Sequence, residues 1–184
     1  MSFFKKRTAD DDTGDGSAAI VPQPEKAAKF FSHAAAQREK FQYEYALNLY
    51  ATGIAHDPFN NEAIEDLLQT GAQYKAQGGK PASGREVRQL RDTPPAGNFA
   101  SAVFEWAKEL GNAKRVLSAL GKAMEINQYP FVRHTASRAI TLLKTQKKAA
   151  SKSQWIQAMD CFMEAGAWEQ SLEVAEYARE LDLS

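Results

Sequence analysis

FFSHAAAQREKFQYEYALNLYATGIAHDP, residues 30–58, is the stretch that decides the fold. Together with the residues just before it, this stretch places apolar or small side chains at Ala27, Phe30, Phe31, Ala34 and Ala35, and again at Ala46, Leu47, Leu49, Tyr50 and Ile54. Both sets follow the three-and-four spacing of one helix face, so two amphipathic helices are expected. The polar run Gln37–Gln42 lies between them. Asp57-Pro58-Phe59-Asn60 ends the second helix, because proline has no amide hydrogen to continue it. The unit is a helical hairpin.

The hairpin resembles the tetratricopeptide repeat, a unit of roughly 34 residues that runs aromatic, x2, Leu-Gly, x2, Tyr, then Ala-x3-Phe, then Pro. Phe30 takes the aromatic slot, Ala34 the small one, Ala46 and Tyr50 the Ala-x3-Phe pair and Gly53 the later small position, with Asp57-Pro58 as the ending. His33 and Gln37 depart from the pattern at the Leu and Tyr slots. A second copy over 152–184 carries Trp155, Phe162, Gly166 at the turn, Trp168, Ala178 and Leu181-Asp182, with Leu183 where proline is usual. A third over 97–130 carries Val103, Phe104 and Ala107, a turn at Gly111-Asn112, then Val116, Leu120, Ala123 and Ile126.

Between these copies the pattern loosens. Asn61–Gln77 reads as a first helix on Ala63, Ile64, Leu67 and Leu68, but no full partner helix follows. Gly78-Gly79-Lys80-Pro81-Ala82-Ser83-Gly84 breaks helix, and Arg85–Arg91 is short and charged before Thr93-Pro94-Pro95. Residues 61–94 are therefore expected to be a degenerate repeat with a loop. Phe131–Lys148 reads as a lone helix facing inward through Val132, Ala136, Ala139, Ile140 and Leu143. The layout, including the Gly-Gly-Lys-Pro break, is similar to bacterial members of this family with no assigned role.

The expected fold is thus all-α, a superhelix of helical hairpins over 25–184 behind a tail over 1–24. The tail mixes charge blocks with Gly14, Gly16, Pro22 and Pro24, a composition that cannot build a core. Phe3-Phe4-Lys5-Lys6-Arg7 within it is either plain tail or a short docking motif. It opens no secretory signal, since Asp10, Asp11, Asp12 and Asp15 follow at once. Lys plus Arg total 23 and Asp plus Glu total 23, so no whole-molecule field draws the chain to nucleic acid or membrane. The single cysteine, Cys161, excludes an internal disulfide and fits a reducing compartment, so a cytoplasmic location is expected.

Chemistry-bearing patterns are sparse. His33, His56 and His134 have no ligand spacing, and neither a metal nor another cofactor is expected. His33 falls on an inward repeat position, and His56 reads as a cation at a helix C-terminus. Gly78-Gly79-Lys80 lacks the preceding strand and the Ser or Thr of a phosphate loop, Pro81 standing there instead. Cys161 reads as a core thiol, and Asp160, Glu164, Glu169, Glu173, Glu176 and Glu180 as a solvated stripe. No enzyme is expected.

The resemblance implies a protein-binding superhelix, because each hairpin hides its apolar face only against the next and leaves a concave groove. Groove positions carried over from the repeat are Phe31, Arg38, Asp66, Gln69, Gln73, Glu105 and Lys108, with protein as the partner. A chaperone-type carboxylate clamp is rejected, since Phe31, Ala35, Asp66 and Ala102 occupy its positions and Asp66 repels a carboxylate. An alternative partner, RNA, would use the basic strip Arg133, Arg138, Lys144, Lys147 and Lys148. Residues 131–152 contain no acid, whereas 153–184 carry seven acids against Arg179. No capping helix follows the last repeat, so further chain, a partner, or the end helix's own polarity is expected to cover that end.

Overall fold

The computed structural model describes residues 20–182; the tail motif Phe3–Arg7 and Leu183 lie outside these. Within them all regular structure is helical: α1 (Pro24–Glu39), α2 (Tyr43–His56), α3 (Asn61–Ala76), α4 (Gly84–Arg91), α5 (Gly97–Lys108), α6 (Ala113–Met124), α7 (Tyr129–Thr145), α8 (Lys152–Glu164) and α9 (Trp168–Asp182). Local sequence explains the boundaries. Pro24 and Pro130 sit in first turns, where a missing amide hydrogen costs nothing. The Asn60 and Asn112 side chains accept from backbone amides at the starts of α3 and α6, while Ser83 with Glu86 and Ser151 with Gln154 form capping boxes. No helix among the described residues is long and apolar enough to cross a membrane.

Three pairs, α1 with α2, α5 with α6 and α8 with α9, are joined by short turns and pack along their lengths. The expected first, third and last hairpins are these. The centre belongs to α5, which packs on α2, α3, α4 and α6. Its residues Phe99, Ala100, Ala102, Val103, Phe104, Trp106 and Ala107 are all buried, as a helix apolar nearly all round must be. α3 can cross it closely only because Gly71 has no Cβ; one built there would collide with the Ala107 carbonyl.

The degenerate second unit takes a form that sequence spacing did not give. Arg85–Arg91 falls inside a capped helix, α4, and this helix lays Val87 and Leu90 onto α5 instead of pairing with α3. α7 is not isolated either: it packs between α6 and α8 and touches α9. It ends at Thr145 because Gln146 turns to extended backbone, so Lys147 and Lys148 lie beyond it.

Candidate functional site

The seven groove positions fall on α1, α3 and α5. Arg38 donates through Nη1 to Asp66 Oδ1 at 2.7 Å, tying the end of α1 to α3. Glu105 accepts from Arg115 Nη1 at 2.6 Å, and Arg115 Nε also binds Glu109 at 2.8 Å. Phe31 is half-buried, its ring lying on Gly53 and 6.5 Å from that of Tyr50. Gln69 and Gln73 are exposed on α3. Lys108 corrects the repeat register outright: only 1% of it is exposed, so it lines no groove.

What surrounds Lys108 explains its burial. Its ammonium donates to Glu86 of α4 at 2.8 Å and Glu44 of α2 at 3.3 Å, and lies 5.2 and 5.1 Å from the ring centres of Tyr74 and Phe104. Burial opposes its charge, but the Glu86 carboxylate outweighs it and holds the ammonium above its ordinary pKa. Burial would likewise raise Glu86, yet hydrogen bonds from Lys108 and Ser83 win and hold it at about 2. A lysine kept protonated has no lone pair for nucleophilic attack. The ion cluster joins four helices.

The Gly-Gly-Lys-Pro break belongs to this cluster. Tyr74 Oη donates to Glu44 Oε1 at 3.0 Å and accepts from the Lys80 backbone amide at 3.1 Å. Gly79 lies flat against the Tyr74 ring, where any Cβ would strike it. The loop's glycines therefore fit an aromatic face.

The basic strip is largely spent within the molecule. Arg133 donates to the Ala165 carbonyl at the end of α8 at 2.8 Å, and Arg138 lies over the Trp106 ring at 4.9 Å. Lys144 binds Glu173 of α9 at 2.7 Å and sits 5.0 Å from the Tyr177 ring centre. Lys147 and Lys148 are exposed. These contacts stitch α7 to α5, α8 and α9.

Two histidine expectations are reversed and the cysteine reading holds. His33 is exposed, set edge-on to Tyr45, because Ala34 and not His33 fills the α1–α2 seam. His56 does end α2, but it is buried beneath Phe30, with burial first and Lys26 second lowering its pKa, so it is a neutral ring at pH 7 and no capping cation. Cys161 is buried, and its thiol is pushed up to about 11 by burial, with Asp160 and Glu164 adding to the effect.

Four of the exposed large apolar side chains among the described residues lie on the last hairpin. Ile156 and Met163, two turns apart on α8, are 44% and 49% exposed, and Trp168 and Leu172, one turn apart on α9, are 67% and 61% exposed. The two stripes run along one seam. Half-buried Met159 falls between Ile156 and Met163, and Ser171 Oγ reaches its carbonyl at 3.5 Å, which sets Leu172 beside the middle of α8. The opposite flanks are occupied: Gln157 of α8 reaches the Leu117 carbonyl of α6, and Glu173 of α9 meets Lys144 of α7. Asp160, Glu164, Glu169 and Glu176 on the same two helices are also exposed. In the sequence these acids read as an ordinary solvated stripe.

No protein-family model, no curated protein and no solved structure matches the chain.

Proposed function

We propose that this chain is a tetratricopeptide-like protein-interaction module, and that its partner-binding surface is the α8–α9 seam rather than the concave side chains. The observation that carries the reading is the set of four large apolar side chains on α8 and α9, Ile156, Met163, Trp168 and Leu172, each at least 44% exposed, on helices that also expose Asp160, Glu164, Glu169 and Glu176. Exposed apolar surface among polar residues marks an interaction site, and an exposed tryptophan within it has the character of a binding hot spot. Stacked hairpins leave such a face wherever no further hairpin lies on it. The acids select the occupant: an apolar segment that also carries Lys or Arg, since opposite charge steers encounter and like charge repels.

The test uses the full chain and a fluorescein-labelled synthetic helix with leucines on one face and lysines on the other. Its anisotropy is expected to rise on binding. Leu172→Glu or Ile156→Glu should weaken that binding more than tenfold, whereas Arg38→Ala and Gln69→Ala should leave it unchanged. Binding that depends on Arg38 and Gln69 but survives Leu172→Glu would move the site to the concave side and overturn the assignment.

A further inference from the structure

We infer that the cleft between the start of α2 and the end of α3 is a binding site for a quaternary ammonium group, held by aromatic rings and by the carboxylate of Glu44. This site stands apart from the α8–α9 seam and does not depend on the reading of that face.

The lining is the first observation. Four aromatic residues, Phe41, Tyr43, Tyr45 and Tyr74, border one open cleft of about 540 Å³ together with Glu44. The other side chains that line it are uncharged amides, so Glu44 is its only charged lining residue among those described. The Phe41 and Tyr43 rings stand nearly perpendicular, 87° apart in plane and 6.2 Å between centres. The negative face of an aromatic ring attracts a cation. A methylated ammonium suits such a site better than a bare one, which is strongly hydrated and loses more on leaving water.

Charge is the second observation. Two carboxylates, Glu44 and Glu86, face the single ammonium of Lys108, so the cluster carries one negative charge in excess. Glu86 takes the shorter bond, 2.8 Å against 3.3 Å, and its side chain is 21% exposed, whereas that of Glu44 is 62% exposed and lines the cleft. The surplus charge therefore lies on the side open to solvent. Tyr74 Oη, donating to Glu44 Oε1 at 3.0 Å, fixes ring and carboxylate against each other. The helix ends offset one another, since α2 brings its positive amino end to the cleft and α3 its negative carboxyl end.

The third observation is Phe41 itself. It closes α1 with a left-handed φ of 60°, and the Gln42 amide donates back to the Gln37 carbonyl at 3.0 Å, a position that favours glycine because a side chain is crowded there. Its ring is nonetheless 70% exposed, so it adds little to the core. An unfavourable backbone that carries an uncovered ring fits a residue whose ring serves a ligand.

The full chain is titrated with choline, with the neutral isostere in which tert-butyl replaces trimethylammonium, and with a short, otherwise uncharged peptide carrying one trimethyllysine, all followed by amide NMR. Choline is expected to shift residues 41–48 and 74–77 and to bind about tenfold more tightly than the isostere. Phe41→Ala and Tyr45→Ala, at exposed positions, should each weaken choline roughly three- to tenfold at an unchanged melting temperature, and Glu44→Gln should bring choline and isostere to similar affinity. A peptide that binds at least about tenfold more tightly than choline supports the site with a methylated lysine as the source; equal or weaker binding of the peptide supports it with a free ammonium ligand. An isostere that binds as tightly as choline would reveal an apolar cleft with no cation site and overturn the inference. So would choline affinity that ignores Phe41→Ala, or spectra in which neither cation shifts the cleft.

Discussion

The α2–α5 region and the α8–α9 hairpin solve opposite problems. Around α5 a charge is hidden: Lys108 is 1% exposed among Glu86, Glu44, Tyr74 and Phe104, and Gly71 and Gly79 bring backbone against its neighbours. On α8–α9 apolar side chains are left in view on helices that also carry exposed acids. The first arrangement ties α5 to α4 and α2 by ion pairs and to α3 through the Tyr74 ring. The second leaves area uncovered, and only another segment can recover the associated free energy.

Breaking the scaffold should have the largest effect. Lys108→Met leaves Glu86 partly buried with no cation, a change expected to cost about 3–5 kcal/mol. For a chain of this size that lowers the melting temperature by roughly 10 °C, measured by circular dichroism or calorimetry. Adding Glu86→Gln should restore part of the loss, because the stranded charge is removed as well. A Lys108→Met chain that melts like the parent would show that the cluster holds nothing together.

The same pair sets an acid limit of smaller size. Glu86 has a folded pKa of about 2 against an ordinary value near 4.5, so it contributes stability that is present above pH 4.5. That contribution disappears as the pH falls from about 4.5 towards 2, where the carboxylate finally takes a proton in the folded state. Urea midpoints across this range should fall more steeply for the parent chain than for Glu86→Gln. Parallel curves would mean that the Lys108 pair does not govern the acid response.

The two regions also differ in how far the sequence discloses them. The hairpins α1–α2, α5–α6 and α8–α9 were legible because Phe30, Ala34, Ala46, Tyr50 and Trp155 repeat with helical spacing, a local property. Lys108 was misplaced for a nonlocal reason: its partners Glu44 and Glu86 stand 64 and 22 residues away, and no periodicity links them. The Gly-Gly-Lys-Pro break announced a loop but not its purpose, since Gly79 is required by the Tyr74 ring and that contact exists only once the loop closes. α4 was hidden because eight residues rich in Arg carry just two inward side chains, Val87 and Leu90. The seam escaped notice because Ile156, Met163, Trp168 and Leu172 read as core in any helical pattern. Only the packed structure shows which flank is left exposed among the described residues.

That last point supplies the smallest expected effect and the sharpest contrast. Leu172→Gln exchanges an exposed apolar side chain for a polar one, so the change in stability should stay within about 0.5 kcal/mol. Leu120→Gln makes the same chemical change at a position with no exposure, where an amide must be buried in the core, and it should cost about 3 kcal/mol or more. Measured side by side by urea unfolding, the two substitutions separate surface from core without reference to any partner. If Leu172→Gln destabilised the chain as Leu120→Gln does, Leu172 would already be buried in the folded molecule. An unchanged melt combined with lost helix binding would instead mean that this leucine contributes to recognition and not to folding, which is the condition for the seam to serve as an interface.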